Sequence, residues 1–240
     1  NMHSLQEDIR HIFLPDEGEK MIIADFEQIE PRILLSILGY NVDNGNNIYE
    51  WFAKKKGLWL FKGSPLKQAN PSLYKEIKTL LLKTLYEPVD VNLDKTFRDV
   101  KVFRDNTFKM FSKACEVKVP YYPLETVSGR KIYFYNPQIV NNYTISAKYT
   151  PFGKTKEVHK GTLLSHYVSG NARDIFLDKL KLLYTNNCRV LFHIHDEIVL
   201  SVKEEDKSKC ISLLKQTGQF YRECFNCEFP MHIKEIDCFE

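Results

Sequence analysis

No stretch of about 18 apolar residues occurs in the sequence, so no membrane-spanning helix is expected. The opening residues, Asn1 to Glu7, lack a basic-then-apolar pattern, so no signal peptide is expected. A chain that starts on Asn is expected to be cut from a longer one. Cysteine forms no framework: its six residues, 115, 188, 210, 224, 227 and 238, are irregularly spaced, which reads as free thiols in a reducing compartment. Cys224-x-x-Cys227, with His232 and Cys238 nearby, supplies half of a zinc spacing without the repeated pair, and a partly buried helix end is the plainer reading. No internal repeat is visible. With 43% hydrophobic and 27% charged residues, the composition excludes a disordered tail, a collagen-like rod and a low-complexity linker. The 240 residues suit one large domain or two small ones.

The small net charge of +3 conceals an asymmetry. Residues 51–120 carry 15 basic and 7 acidic side chains, a surplus of eight, which leaves −5 for the remainder. A polyanion-binding lobe beside a metal-binding carboxylate site has this distribution, and so does a solvated lysine-rich helical face.

Hydrophobic periodicity orders the elements. Residues 20–25 read as a short buried strand that ends on Asp25. Gln28 to Leu38 reads as a helix with Pro31 in its first turn. Helices are expected at Ile48–Lys56, Leu73–Tyr86 and Leu93–Cys115, broken at Gly63-Ser64-Pro65 and Pro88, with a polar turn over 41–47. Residues 130–160 are rich in Tyr, Ile and Thr and read as strands. Residues 161–184 return to helical spacing. A hairpin follows: a strand over 189–194, a turn at His195-Asp196, and a return strand over 197–202. Glu204 to Cys224 reads as one amphipathic helix and Phe229 to Ile236 as a last strand. The fold class is α+β: an antiparallel sheet with packed helices, interrupted by a helical basic insertion.

Two acids stand where apolar strands end. Asp25 follows Met-Ile-Ile-Ala, and Asp196 sits in the turn, with Glu197 next to it. A carboxylate in such surroundings is costly unless compensated, and a divalent cation compensates it. Two carboxylates from different strands can bridge a pair of cations for phosphoryl transfer, and their oxygens suit Mg²⁺. An isolated acid in a hairpin turn is commonplace, so the wider strings matter.

Ala24-Asp25-Phe26-Glu27-Gln28-Ile29-Glu30-Pro31-Arg32 resembles the first catalytic motif of family A, DNA polymerase I-like, DNA polymerases, in its Asp, Gln-Ile-Glu and Arg. Phe192 to Val199, with His195-Asp196-Glu197 at its centre, resembles the third motif. Asn1 to Gly18, with Phe13-Leu14-Pro15-Asp16-Glu17-Gly18, resembles the run into the first motif. Ser128-Gly129-Arg130-Lys131 and Val168-Ser169-Gly170-Asn171-Ala172-Arg173-Asp174-Ile175 resemble two further family segments, in the same order. The resemblance covers nearly the whole chain.

The resemblance implies an antiparallel palm sheet with an inserted helical fingers subdomain: palm over 1–48 and 129–240, and basic fingers over 49–128. The family's thumb and exonuclease are then expected in a longer parent chain or a separate subunit. It implies template-directed DNA synthesis with two Mg²⁺ ions, Mn²⁺ substituting. Asp25, Asp196 and the Phe26 carbonyl are the expected metal ligands, with Glu197 as an auxiliary acid. Glu30 is expected to exclude a ribose 2′-hydroxyl, and His195 to sit by the primer terminus. In the fingers motif Lys78 matches the lysine on the triphosphate, and Tyr86 the tyrosine beside the template base. Lys75 is placed to replace an arginine that here falls on Tyr74. Leu82 stands where the family stacks a Phe, and Lys83 and Glu87 stand where it keeps glycines. Ser169 replaces a minor-groove Gln, and Ser165 and Gly161 fall where Asn and Arg are usual. Arg173, Lys160 and Arg32 are the remaining DNA-side candidates, with Arg32 expected to brace the site or to form a helix-surface ion pair. Primer-template DNA and deoxynucleoside triphosphates are the implied partners, in the cytoplasm of a bacterium or a phage-infected host. Two alternatives stay open: a single-subunit RNA polymerase-like palm, and a polymerase-like binding or scaffold domain with little catalysis.

Overall fold

The computed structural model describes residues 14–42, 47–60, 63–86, 98–142 and 144–236. In chain order the elements are β1 (Glu19–Phe26), α1 (Ile29–Ile37), α2 (Ile48–Lys55), α3 (Leu66–Ala69), α4 (Pro71–Tyr86) and α5 (Arg98–Glu116). Then come β2 (Tyr121–Glu125), β3 (Lys131–Asn141), β4 (Thr144–Lys148), β5 (Thr155–His159) and the long α6 (Lys160–Thr185). The chain finishes with β6 (Arg189–Ile194), β7 (Glu197–Lys203), α7 (Lys207–Lys215), α8 (Gln219–Phe225) and β8 (Met231–Ile236). No described helix is long and apolar enough to cross a membrane. Mixed helix and antiparallel sheet is the observed class, as the sequence led us to expect.

The chain divides into two compact units, one of residues up to 29 and from 173 onward, the other of residues 30–172. In the first unit four antiparallel strands lie in the order β6-β7-β1-β8. Side chains alternate between sheet faces. Ile22, Ala24 and Phe26 of β1 are buried, with Phe26 6.4 Å from the Phe176 ring of α6. Met21 and Ile23 point to the other face, with Val199, Leu191, Ile194 and Ile236, and Asp25 ends that row.

The helix expected over 204–224 is two helices. A 3₁₀ turn over Glu204–Asp206 precedes α7, and α8 starts anew after Gly218. The cause lies in α6. The buried Lys179 ammonium donates to the carbonyls of Leu213 at 2.9 Å, Leu214 at 3.0 Å and Gln216, which caps the end of α7 and stops the helix. Burial pulls this amine down to about 8 against the nearby Asp178, so it is still charged at neutral pH.

The second unit holds α2 to α5, most of α1, and a separate meander in the order β2-β3-β4-β5. One antiparallel sheet was expected; two are found. Short turns let β2 to β5 pair with each other, and their inward side chains Leu124, Phe134, Ile145, Ala147 and Val158 form a core with Phe108 and Phe111 of α5. β2 also places a strand within the span read as mainly helical. The sequence signals at 1–13, 43–46, 87–97 (Glu87 and Pro88 included) and Cys238 lie outside the described residues.

Candidate active site

The carboxylate cluster is built by strand register. Asp25 lies opposite Glu197 of β7 on one side and His232 of β8 on the other. Directly opposed residues in antiparallel strands project from the same face, so Asp25, Glu197 and His232 share it. Asp196 is tied in through the backbone, its carbonyl accepting from the Phe26 N–H at 3.3 Å. The β6–β7 turn reverses through His195 at φ 52°, in the left-handed region that His tolerates better than most residues. The turn therefore brings Asp196 and Glu197 to the end of β1. His195 itself is exposed.

Asp25 reaches solvent on its open side, while protein packs around it on the other. That desolvation, with the charges of Asp196 and Glu197, pushes its carboxyl up to about 6; His232 opposes the shift and Glu27 adds to it. One carboxyl that resists ionisation beside two further acids is an arrangement that a cation would relieve. The donor set, hard carboxylate oxygens from two strands, is of the type that suits Mg²⁺. Among the described residues no three His, Cys, Asp or Glu side chains converge closely enough to cage an ion. The zinc spacing fails on the same ground: Cys224 is exposed, and the Cys227 thiol is buried and directed at the Glu228 carbonyl, 3.1 Å away.

A second cluster forms within the other unit. The Glu30 carboxylate accepts from Ser169 Oγ at 2.6 Å and from the Tyr86 hydroxyl. Three residues named from the sequence are thus brought together, and Ser169 serves Glu30 directly. Tyr49 was missed; burial, with Tyr74 and Glu30 nearby, pushes its phenol up to about 12. Nothing in its local sequence marks it. Tyr74, at the arginine position of the fingers motif, meets Tyr49 edge-on at 5.4 Å, and its hydroxyl accepts from Asn47 at 3.3 Å. Lys75 and Lys78 are exposed on α4, and Leu82 is half-buried.

Two assignments change. Arg32 has no exposed surface, so a DNA contact or a surface ion pair is excluded in this conformation and bracing remains. Lys160 is engaged by Asp105. Arg173 is exposed, its guanidinium 4.9 Å from the centre of the Phe176 ring. The segment after the fingers docks on α6: Arg130 donates to the Gly170 carbonyl at 2.7 Å, and the Val127 N–H to Asn171 Oδ1 at 2.9 Å.

No family model matches the chain. Two curated proteins do, both "DNA polymerase I, thermostable": that of Thermus filiformis at 23% identity over 94% of this chain, and that of Thermus aquaticus at 24% over 87%. The chain spans about a quarter of their length, 27% and 26%. Among solved structures it resembles the POL domain of Pol1 from M. smegmatis in complex with DNA primer-template and dNTP. That likeness has a TM-score of 0.65 and 15% identity, and covers 96% of this chain and 42% of the other. The fold is thus that of a polymerase domain. In sequence, too, the chain is similar over most of its length to DNA polymerase I, of the family A polymerases.

Proposed function

We propose that the chain is the palm and fingers of a DNA polymerase that joins a deoxynucleoside triphosphate to a primer 3′-hydroxyl under template direction. The palm is residues 1–48 and 129–240, the fingers 49–128, and a thumb would come from a longer parent chain or a separate subunit. One observation carries the reading: Asp25 and the Asp196-Glu197 turn meet across paired strands, and their mutual repulsion calls for cations. Asp25, Asp196 and the Phe26 carbonyl are the proposed ligands of two Mg²⁺ ions, with Mn²⁺ as substitute. When bound, such ions lower the pKa of the attacking hydroxyl and offset the charge of the leaving pyrophosphate.

The chain's own residues do the rest. Lys78 neutralises triphosphate charge and can give a proton to pyrophosphate. Lys75 adds a second cation on the same helical face, in place of the missing arginine. Glu30, held by Ser169 and Tyr86, is fixed where a ribose 2′-hydroxyl would have to displace it, and Leu82 packs on the incoming base without a π face. His195 and Arg173 line the primer-template side.

Primer extension on a recessed DNA template with Mg²⁺ tests the reading. Deoxynucleotides are incorporated and ribonucleotides rejected, and Glu30→Ala raises ribonucleotide use at least tenfold, about 1.4 kcal/mol of lost discrimination. A wild-type preference for ribonucleotides would favour the single-subunit RNA polymerase-like palm instead. The altered fingers motif, with Tyr74 turned onto Tyr49 and Lys83 in place of glycine, favours the second reading of a binding or scaffold domain. Retained function in the native system after Asp25→Ala would establish it.

A further inference from the structure

We propose that the open face of the β2–β5 sheet binds single-stranded nucleic acid, stacking unpaired bases on Tyr121, Tyr133 and Tyr135. The sheet belongs to the second unit and the carboxylate cluster to the first, and the binding needs no catalysis.

The sheet has two unlike faces. Tyr122, Leu124, Ile132, Phe134, Ile145, Ala147 and Val158 face the core under α5 and α6. The intervening residues of β2 and β3 face away, and three of them are tyrosines. Register places Tyr121 opposite Tyr135, and Pro123 opposite Tyr133. The ring centroids of Tyr121 and Tyr133 are 5.3 Å apart, those of Tyr133 and Tyr135 5.9 Å, and those of Tyr121 and Tyr135 6.3 Å. None of the three is buried, and Tyr121 is 47% exposed. Three rings that support one another yet stay open to solvent are preorganised to stack a flat ligand.

The charge beside them selects the ligand. Tyr135 lies opposite Lys148 of β4. Lys148 also lines a groove of about 940 Å³ with Lys118, Asn136, Gln138, Ser146 and Thr155, and no carboxylate lines it. Two acids do lie on the sheet: Glu125 stands opposite Lys131, and the Glu157 carboxylate is 3.4 Å from His159. An aromatic platform beside a groove that carries two lysines, amides and hydroxyls among apolar Val119, Pro120, Pro137 and Ile139 matches the alternation of base and phosphate in one strand. In a duplex the base faces are occupied by their neighbours, so stacking on the tyrosines requires unpaired bases. A second copy of the chain would set its own lysine-lined groove against this one, a like-charge contact.

The test uses fluorescein-labelled dT and rU dodecamers and reads anisotropy at low salt without added metal. Tyr133→Ala and Tyr135→Ala each weaken binding by about five-fold or more, and Tyr133→Phe keeps it. Lys148→Ala lowers the slope of log affinity against log salt by about one. A blunt DNA duplex competes poorly. A preference for dT or rU supports the site and assigns its ligand as DNA or RNA. Circular dichroism confirms that each variant is folded. If Tyr133→Ala does not fold, the proposal stands or falls on Lys118→Ala and Lys148→Ala. Folded tyrosine variants that bind both oligonucleotides like wild type would overturn it. So would tyrosine variants that lose self-association in sedimentation while keeping oligonucleotide affinity, which would mark the face as a protein contact.

Discussion

At Asp25 the fold holds a carboxylate that ionises reluctantly. Its pKa is raised from 3.8 to about 6, so the folded state binds its proton more tightly than the unfolded chain does. Stability therefore falls as pH rises from about 4 to 6 and stays reduced above that. Asp25→Asn removes the titration. In the absence of divalent cations the variant should have a higher Tm than wild type at pH 8, with the difference fading below pH 4, as differential scanning fluorimetry across pH would show. On the proposed cation site, added Mg²⁺ should raise the Tm of wild type more than that of the variant, since a ligand that binds only the folded state stabilises it. The two aspartates were legible in the sequence because each ends an apolar strand, where an uncompensated charge is costly. His232 was not legible as their neighbour. Its place beside Asp25 depends on the pairing of β8 with β1, about 200 residues apart in the chain, and no local pattern encodes that.

Most elements follow from period and punctuation. The strand over 20–25, the hairpin over 189–203 and the helices α1, α2, α4 and α6 stand within two residues of where apolar spacing puts them. The α7–α8 break did not show, because amphipathic spacing continues through it. What ends α7 is a lysine more than 30 residues earlier, whose ammonium takes three carbonyls at the helix end. Lys179→Ala should therefore cost about 2–4 kcal/mol in urea unfolding, since it leaves buried carbonyls unsatisfied. Gly170 makes a second element-scale test. A Cβ there would come within 2.8 Å of Ile132 Cδ1 and 3.1 Å of Thr126 Cγ2. Gly170→Val should destabilise by about 1–3 kcal/mol through overpacking and loosen the Arg130 bond to this turn of α6. The glycine was visible only as part of a motif string; its physical reason is the close approach of the 126–132 segment.

Across the molecule, the α+β class and the order of the segments were readable, and the second sheet was not. Strands in 121–159 could have joined one sheet with β1 and β7 as far as composition tells. Their short connections and inward aromatic rows make them a sheet of their own. The cation-rich stretch 51–120 and the acid-bearing strands outside it fit a division between holding a polyanion and acting on it. The central claim is that Asp25 and Asp196 together make this region a nucleotidyl-transfer site. Single-turnover primer extension in saturating Mg²⁺, comparing wild type with Asp25→Ala, Asp196→Ala and the exposed control Cys224→Ser, tests it most directly. The account predicts loss of about 10³-fold or more in each aspartate variant and near wild-type extension in the control, with all four proteins folded. Extension that persists at the wild-type rate in either aspartate variant would contradict it.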